Sequence, residues 1–209
     1  MSNSLNTRGE YKTPRLIHIL WISLIIAVAL SIYEQDWVTT MISLVVLSST
    51  IYMITISKKM PFKIPSFFIT TSIIFIYATL FLGEVANFYE RFWWWDVVLH
   101  TGSAIGFGLI GIIILIVMLR RGKVDAHPGV VAFFGFSFAV AIGVVWEIFE
   151  FGMDQWFGMN MQKSGLVDTM GDLIVDCLGA LFAALIGYLY LKDNKKAPLS
   201  GVIEEVAEE

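Results

Sequence analysis

Trp146-Glu147-Ile148-Phe149-Glu150-Phe151-Gly152-Met153-Asp154 places three acids inside a run of apolar and aromatic residues. With a helical turn of about 100° per residue, Glu147, Glu150 and Asp154 fall within roughly 60° of one another on one face. The next apolar run repeats the pattern, with Asp168, Asp172 and Asp176 climbing one face at intervals of four. An ionisable residue inside a membrane span costs at least about 2.5 kcal/mol, so acids grouped in this way mark a functional site by default.

Working outward, the 209 residues are 57% hydrophobic and 15% charged, with a mean hydropathy of +0.74. That is too apolar for a soluble domain of this length. Six runs of about 20 residues, enough to cross roughly 30 Å of hydrocarbon, are expected at 16–33, 38–57, 65–88, 96–119, 130–157 and 170–191. The run from Leu16 resembles a signal sequence because Arg8, Lys12 and Arg15 precede it. It leads instead into Glu34-Gln35-Asp36-Trp37 without a small-residue cleavage pattern, so it reads as an uncleaved span.

Orientation follows from the 14 Lys and Arg residues. Arg8, Lys12, Arg15, Lys58, Lys59, Lys63, Arg120, Arg121, Lys123, Lys192, Lys195 and Lys196 fall on one side of the membrane, and Arg91 and Lys163 on the other. The bias predicts cytoplasmic N and C termini. Trp37, Trp93, Trp94, Trp95 and Trp156 then form an outer aromatic belt. The fold class is all-α: a polytopic membrane protein with six transmembrane helices. Its expected organisation is a cytoplasmic segment at 1–15, a membrane domain at 16–191 with its polar core in 84–176, and an acidic cytoplasmic tail at 192–209. The net charge of −4 gives no basic field, so nucleic acid is not an expected partner. The expected surroundings are the lipid bilayer of the cell (inner) membrane, and nothing in the sequence fixes an oligomeric state. The lone Cys177 and His18 read as a packing residue and an interfacial side chain.

Spans one and two carry hydroxyls but no candidate chemistry. In span four, Gly102 and Gly106 form a GxxxG pair, followed by Gly108 and Gly111; span six repeats small residues at Gly179, Ala183 and Gly187. Such positions let helix backbones approach closely. Asp96 to Gly111 and Asp172 to Gly187 share a leading Asp, a polar residue four later (His100, Asp176) and a Leu-Ile-Gly ending, the pattern of a decayed repeat.

On this topology Glu84, Glu90, Arg91, Asp96, His100, Glu147, Glu150, Asp154, Asp168, Asp172 and Asp176 lie in the outer half, and a cavity opening outward is expected. So many carboxylates in a low-dielectric pocket must be protonated, paired or neutralised by a cation. Asp96, His100, Glu147, Glu150, Asp172 and Asp176 are therefore the expected ligands of a divalent cation such as Mg²⁺ or Mn²⁺. Carboxylate-rich ligation with one imidazole suits such ions, or Ca²⁺, better than structural zinc. His100 and Glu147 are the candidate bases should the site be catalytic. Asp154, Asp168, Glu90 and Arg91 lie nearer the surface, where solvated charge and helix capping suffice.

Three functions fit. The site belongs to a cation-binding protein with a binding, stabilising or envelope-resistance role; to a metal-dependent hydrolase or transferase acting on a lipid headgroup or lipid-linked substrate at the outer leaflet; or to a proton- or cation-coupled transporter. Arg91 is the only expected cation near the pocket, which disfavours phosphate binding without a metal bridge.

The motifs Tyr89-Glu90-Arg91-Phe92-Trp93-Trp94-Trp95-Asp96-Val97-Val98-Leu99-His100, Trp146-Glu147-Ile148-Phe149-Glu150-Phe151 and Asp168-Thr169-Met170-Gly171-Asp172-Leu173-Ile174-Val175-Asp176 resemble the YjdF-like inner-membrane proteins, a family of unknown function. The likeness covers roughly residues 84 to 190 and implies the membrane class and these site residues, with no reaction attached. A more limited likeness is to VanZ-like membrane proteins, which pair an Asp-x-x-x-His helix with a later acid-bearing, glycine-ending helix. Their association with glycopeptide resistance is not carried over.

Overall fold

The computed structural model describes residues 13–59 and 66–192, with Gly201 and Glu204. The basic residues Arg8, Lys12, Lys63, Lys195 and Lys196, the prolines at 61 and 65, and most of the acidic tail lie outside the described residues. Six helices are long and apolar enough to span a membrane, and no strand occurs among the described residues. The all-α polytopic membrane fold is thus established. Each span expected from the sequence has its helix, with ends shifted by a few residues.

The chain divides into two compact units, one running to Phe92 and the other beginning at Trp93. In the first, α1 (Arg15–Glu34) and α2 (Trp37–Ser57) form a hairpin. Gln35 reverses the chain with φ 61°, and Asp36 caps α2 by accepting from the Thr39 amide at 3.1 Å. Hydrogen bonds from the side chain and backbone of Thr39 hold the exposed Asp36 carboxyl below the usual carboxylate range. The outer faces of α1 and α2 are mostly apolar: Ile19, Ile22, Ile25 and Val38 are exposed, as suits lipid-facing residues.

The third span begins as α3 (Ser66–Ile76) and continues as a π-helical segment, Tyr77–Val85. It ends three residues short of the expected limit at 88. Asn87, at φ 56°, turns the chain into the short α4 (Phe88–Arg91) instead. Gly83 lies against the Tyr89 ring, where any Cβ would overlap it.

The second unit is a three-helix bundle of α5 (Trp95–Arg120), α6 (Pro128–Phe157) and α7 (Leu166–Lys192). Helix α6 starts with Pro128 at its first position and the His127 imidazole accepting from the Gly129 amide at 3.1 Å. It stops at Gly158, whose φ of 66° is one that side-chain-bearing residues rarely adopt. Helix α7 begins four residues earlier than the sequence suggested. Leu166 and Val167 are apolar, and Asp168 in the first turn suits the positive end of the helix dipole.

Small residues set the packing. A Cβ at Gly108 would lie 2.6 Å from that of Ala183, and one at Gly111 3.2 Å from the Gly135 Cα. One at Gly179 would meet the Thr101 carbonyl oxygen at 2.7 Å, and one at Gly187 the Ile112 side chain. The GxxxG pair behaves differently from its expected packing role. Cβ atoms at Gly102 and Gly106 would have no heavy atom within 4 Å. The close approach lies on another face of α5, which runs through Ala104, Gly108, Ile112 and Leu115. At the far end, Arg120 donates to the Tyr190 hydroxyl at 3.0 Å, tying α5 to α7.

Candidate functional site

Helices α5 and α7 are separated by one intervening span and so run in the same direction. Gly179 sits beside Thr101 and Ala104, Ala183 beside Gly108, and Gly187 beside Ile112. That register, an offset of about 76 residues, also sets Asp172 level with Asp96 and Asp176 level with His100. The two polar pairs noted in the suspected repeat thus lie side by side. From the helix starts, His100 is about 7.5 Å along α5 and Asp176 about 15 Å along α7, at 1.5 Å per residue.

His100 is buried and central. Its Nε2 lies 3.7 Å from Asp96 Oδ1 and 3.9 Å from Glu147 Oε1. Its Nδ1, on the other edge of the ring, lies 3.3 Å from Asp176 Oδ1. Asp96, His100 and Asp172 each offer one ligand atom within 4.8 Å of the others, a grouping able to hold a metal ion. Asp172 and Asp176 are 5% and 2% exposed, and Glu147 is 4% exposed.

Neither Asp176 oxygen and neither Glu147 oxygen accepts a hydrogen bond from a described residue. Thr169 comes near Glu147 without reaching bonding geometry, and its hydroxyl accepts from Gln162 Nε2 at 2.6 Å. Four buried acceptor atoms without donors are costly, because a group withdrawn from water loses about 1–3 kcal/mol if left unmatched. A cation or protons must offset that cost.

The other candidates are placed differently. Glu150 stands one turn from Glu147, and its Oε1 accepts from Trp146 Nε1 at 2.8 Å on its own helix. It lies within electrostatic range of Glu147 and Asp96 but outside the three-residue group. Asp154 is a clamp: its two oxygens accept from the Met161 and Gln162 amides at 2.7 and 2.9 Å, fixing the loop between α6 and α7. Glu84, Glu90 and Arg91 belong to the first unit, at exposed positions.

That clamped loop carries a residue the sequence reading passed over. Lys163 lies within electrostatic range of Asp96 and Asp168, so the bundle has a cation of its own near the site. Its signal was the shortness of the loop, which holds any residue between α6 and α7 close to both helix ends.

Gly143 is a second omission. A Cβ there would stand 3.0 Å from Asp176 Cγ and would overlap Oδ2. The missing side chain makes room for one particular carboxylate.

An uncharacterised protein of Thermotoga maritima is 34% identical over 119 residues, 56% of this chain. The matched stretch spans 59% of the length of that relative. No solved structure matches the chain. Residues 15–193 match the family described as predicted membrane protein, DUF2238. The match takes in all six spans and the whole acid and histidine cluster, and the chain belongs to that family.

Proposed function

We propose that this protein binds a divalent cation, Mg²⁺ or Mn²⁺, in an outward-facing Asp/Glu/His site of the cell (inner) membrane, with both chain termini in the cytoplasm. The observation that carries the reading is the grouping of Asp96, His100 and Asp172 with ligand atoms within 4.8 Å of one another, next to the buried, unpartnered carboxylates of Glu147 and Asp176. Asp96, His100 and Asp172 form the nucleus of the ligand set, and hard oxygen donors with a single nitrogen suit these ions. Glu147 and Asp176 extend the cluster through His100, and Glu150 adds negative charge nearby.

A hydrolase or transferase reading has its own support in Glu147. Its unpartnered carboxylate lies beside His100 Nε2 yet outside the three-residue ligand group, where it could take a proton from a cation-bound water. Lys163 at the rim would suit an anionic headgroup. Transport is less favoured, since α5 beyond His100, α6 before Glu147 and α7 beyond Asp176 carry no acid or base until Arg120, His127 and Lys192.

Thermal unfolding of the purified chain tests the cation. Mg²⁺ or Mn²⁺ should raise the midpoint of wild type relative to EDTA, because a ligand bound only by the folded state stabilises it. Asp172→Asn should lose that response while remaining as stable as wild type, or more so, in EDTA, since it relieves crowding of like charges. Glu147→Gln keeps the response under the hydrolase reading and loses it if Glu147 is a ligand. A wild type indifferent to both ions and to EDTA would end the cation proposal. Orientation is tested by reporter fusions: those after Asp36, Trp95 and Gln162 should read outside, and those after Lys59 and Lys123 inside. A single reversed reading breaks the topology.

A further inference from the structure

The two edges of the His100 ring face different surroundings. Nε2 looks toward Asp96 and Glu147 at 3.7 and 3.9 Å, and Nδ1 looks toward Asp176 at 3.3 Å. We infer that Asp176 is not a ligand of the cation but the positioning carboxylate of His100, and that Gly143 on α6 is the residue that lets it sit there; the inference rests on the cation reading above.

The chemistry of imidazole sets the division of labour. A neutral ring carries one proton, so a cation bound at Nε2 leaves that proton on Nδ1. Nδ1–H then points to the side where Asp176 waits, the carboxylate–histidine–metal arrangement in which an outer carboxylate fixes the ring and raises its basicity. The 3.3 Å contact is long and misses hydrogen-bond alignment. A cation that fixes the proton on Nδ1 sets a donor beside Asp176 Oδ1.

Packing against α6 also holds Asp176 in that role. The carboxylate lies against Gly143, where a methyl would overlap Oδ2 and stand 3.4 Å from Asp176 Cβ. At 2% exposure the side chain is closed off from solvent. Adding one methyl on a helix that contributes nothing to His100 Nδ1 should therefore push the carboxylate off its line.

Mn²⁺ is the probe, with the full chain in detergent or nanodiscs. Affinity is read by electron paramagnetic resonance titration, and the number of waters on bound Mn²⁺ by line broadening in ¹⁷O-labelled water. Asp176→Asn and Gly143→Ala should each weaken Mn²⁺ binding by about 10- to 100-fold, the usual effect of disturbing an outer partner of a ligating histidine. Neither should change the count of bound waters. Asp96→Asn removes a direct ligand and should add one water to the ion.

An extra water in Asp176→Asn would make Asp176 a direct ligand and overturn the inference while leaving the cation site standing. So would wild-type affinity in a folded Gly143→Ala. If Gly143→Ala does not fold, the water count in Asp176→Asn decides alone. Wild type that binds no Mn²⁺ overturns both the inference and the cation site.

Discussion

The helices before Phe92 and those after Trp93 treat buried polar groups in opposite ways. In the first unit they are mostly neutral and paired: Ser31 with Thr40 at 2.7 Å, Trp21 Nε1 with Thr50 at 3.0 Å, and Ser23 with Tyr77 at 2.9 Å. Each joins two helices, and the Ser23, Ser31, Thr40 and Thr50 hydroxyls also lie within bonding distance of a backbone carbonyl three or four residues earlier. Ser43 and Thr79 are exceptions, their buried hydroxyl oxygens having no hydrogen-bond partner among the described residues. In the bundle of α5, α6 and α7 the buried polar residues are a histidine and acids, and Asp176 and Glu147 accept no hydrogen bond from a described residue. Hydroxyl pairs inside a membrane hold helices together at little cost. Unsatisfied carboxylates do not, and their presence points to something beyond packing.

If that contrast is right, damage to the two regions should differ in size and in kind. The largest loss of stability is expected where backbones touch. Gly179→Ala places a methyl 2.7 Å from the Thr101 carbonyl oxygen, and overpacking of this sort costs about 1–3 kcal/mol. Because the clash separates α5 from α7 near Asp172 and Asp176, cation-dependent stabilisation should fall with it. Equilibrium unfolding with and without Mn²⁺ measures both, and a variant as stable as wild type would mean that α5 and α7 are not closely packed there.

A smaller loss is expected from Ser31→Ala, which removes the bond to Thr40. Such interhelical bonds in membranes average about 0.6 kcal/mol and reach about 1.7. The change should be the same in Mn²⁺ and in EDTA, since the pair has no part in cation binding. A Ser31→Ala penalty that varies with the cation would break the separation of roles drawn between the two regions.

Much of this was legible in the chain itself, for physical reasons. A span must be about 20 apolar residues long, so composition alone delimits six helices. Acids in such runs cannot be accidental, so Asp96, Glu147, Asp172 and Asp176 stood out with His100. What could not be read is rotation about a helix axis and distance across it. Glu147 and Glu150 share a face by arithmetic, yet one points to His100 and the other pairs with Trp146 on its own helix. Gly102 and Gly106 match a packing motif, but a pattern cannot say which neighbour it meets. The roles of Gly143 and Lys163 depend on a second helix and on a loop fixed by Asp154, neither visible in a local window.

The π-helical stretch Tyr77–Val85 bears on how the third span can change in length. Deleting one residue from an α-helical span turns everything beyond it by about 100°, carrying part of the lipid-facing side inward and part of the buried side out. A π turn closes its hydrogen bonds over five residues rather than four, and so already holds one residue more than the α-helix requires. Losing a residue there lets the chain relax into ordinary α geometry, with the residues on either side still facing as before. The span thus has a place where its length and the orientation of its faces are decoupled, and loss of one residue should be better tolerated between Tyr77 and Val85 than in the α-helical part of the span.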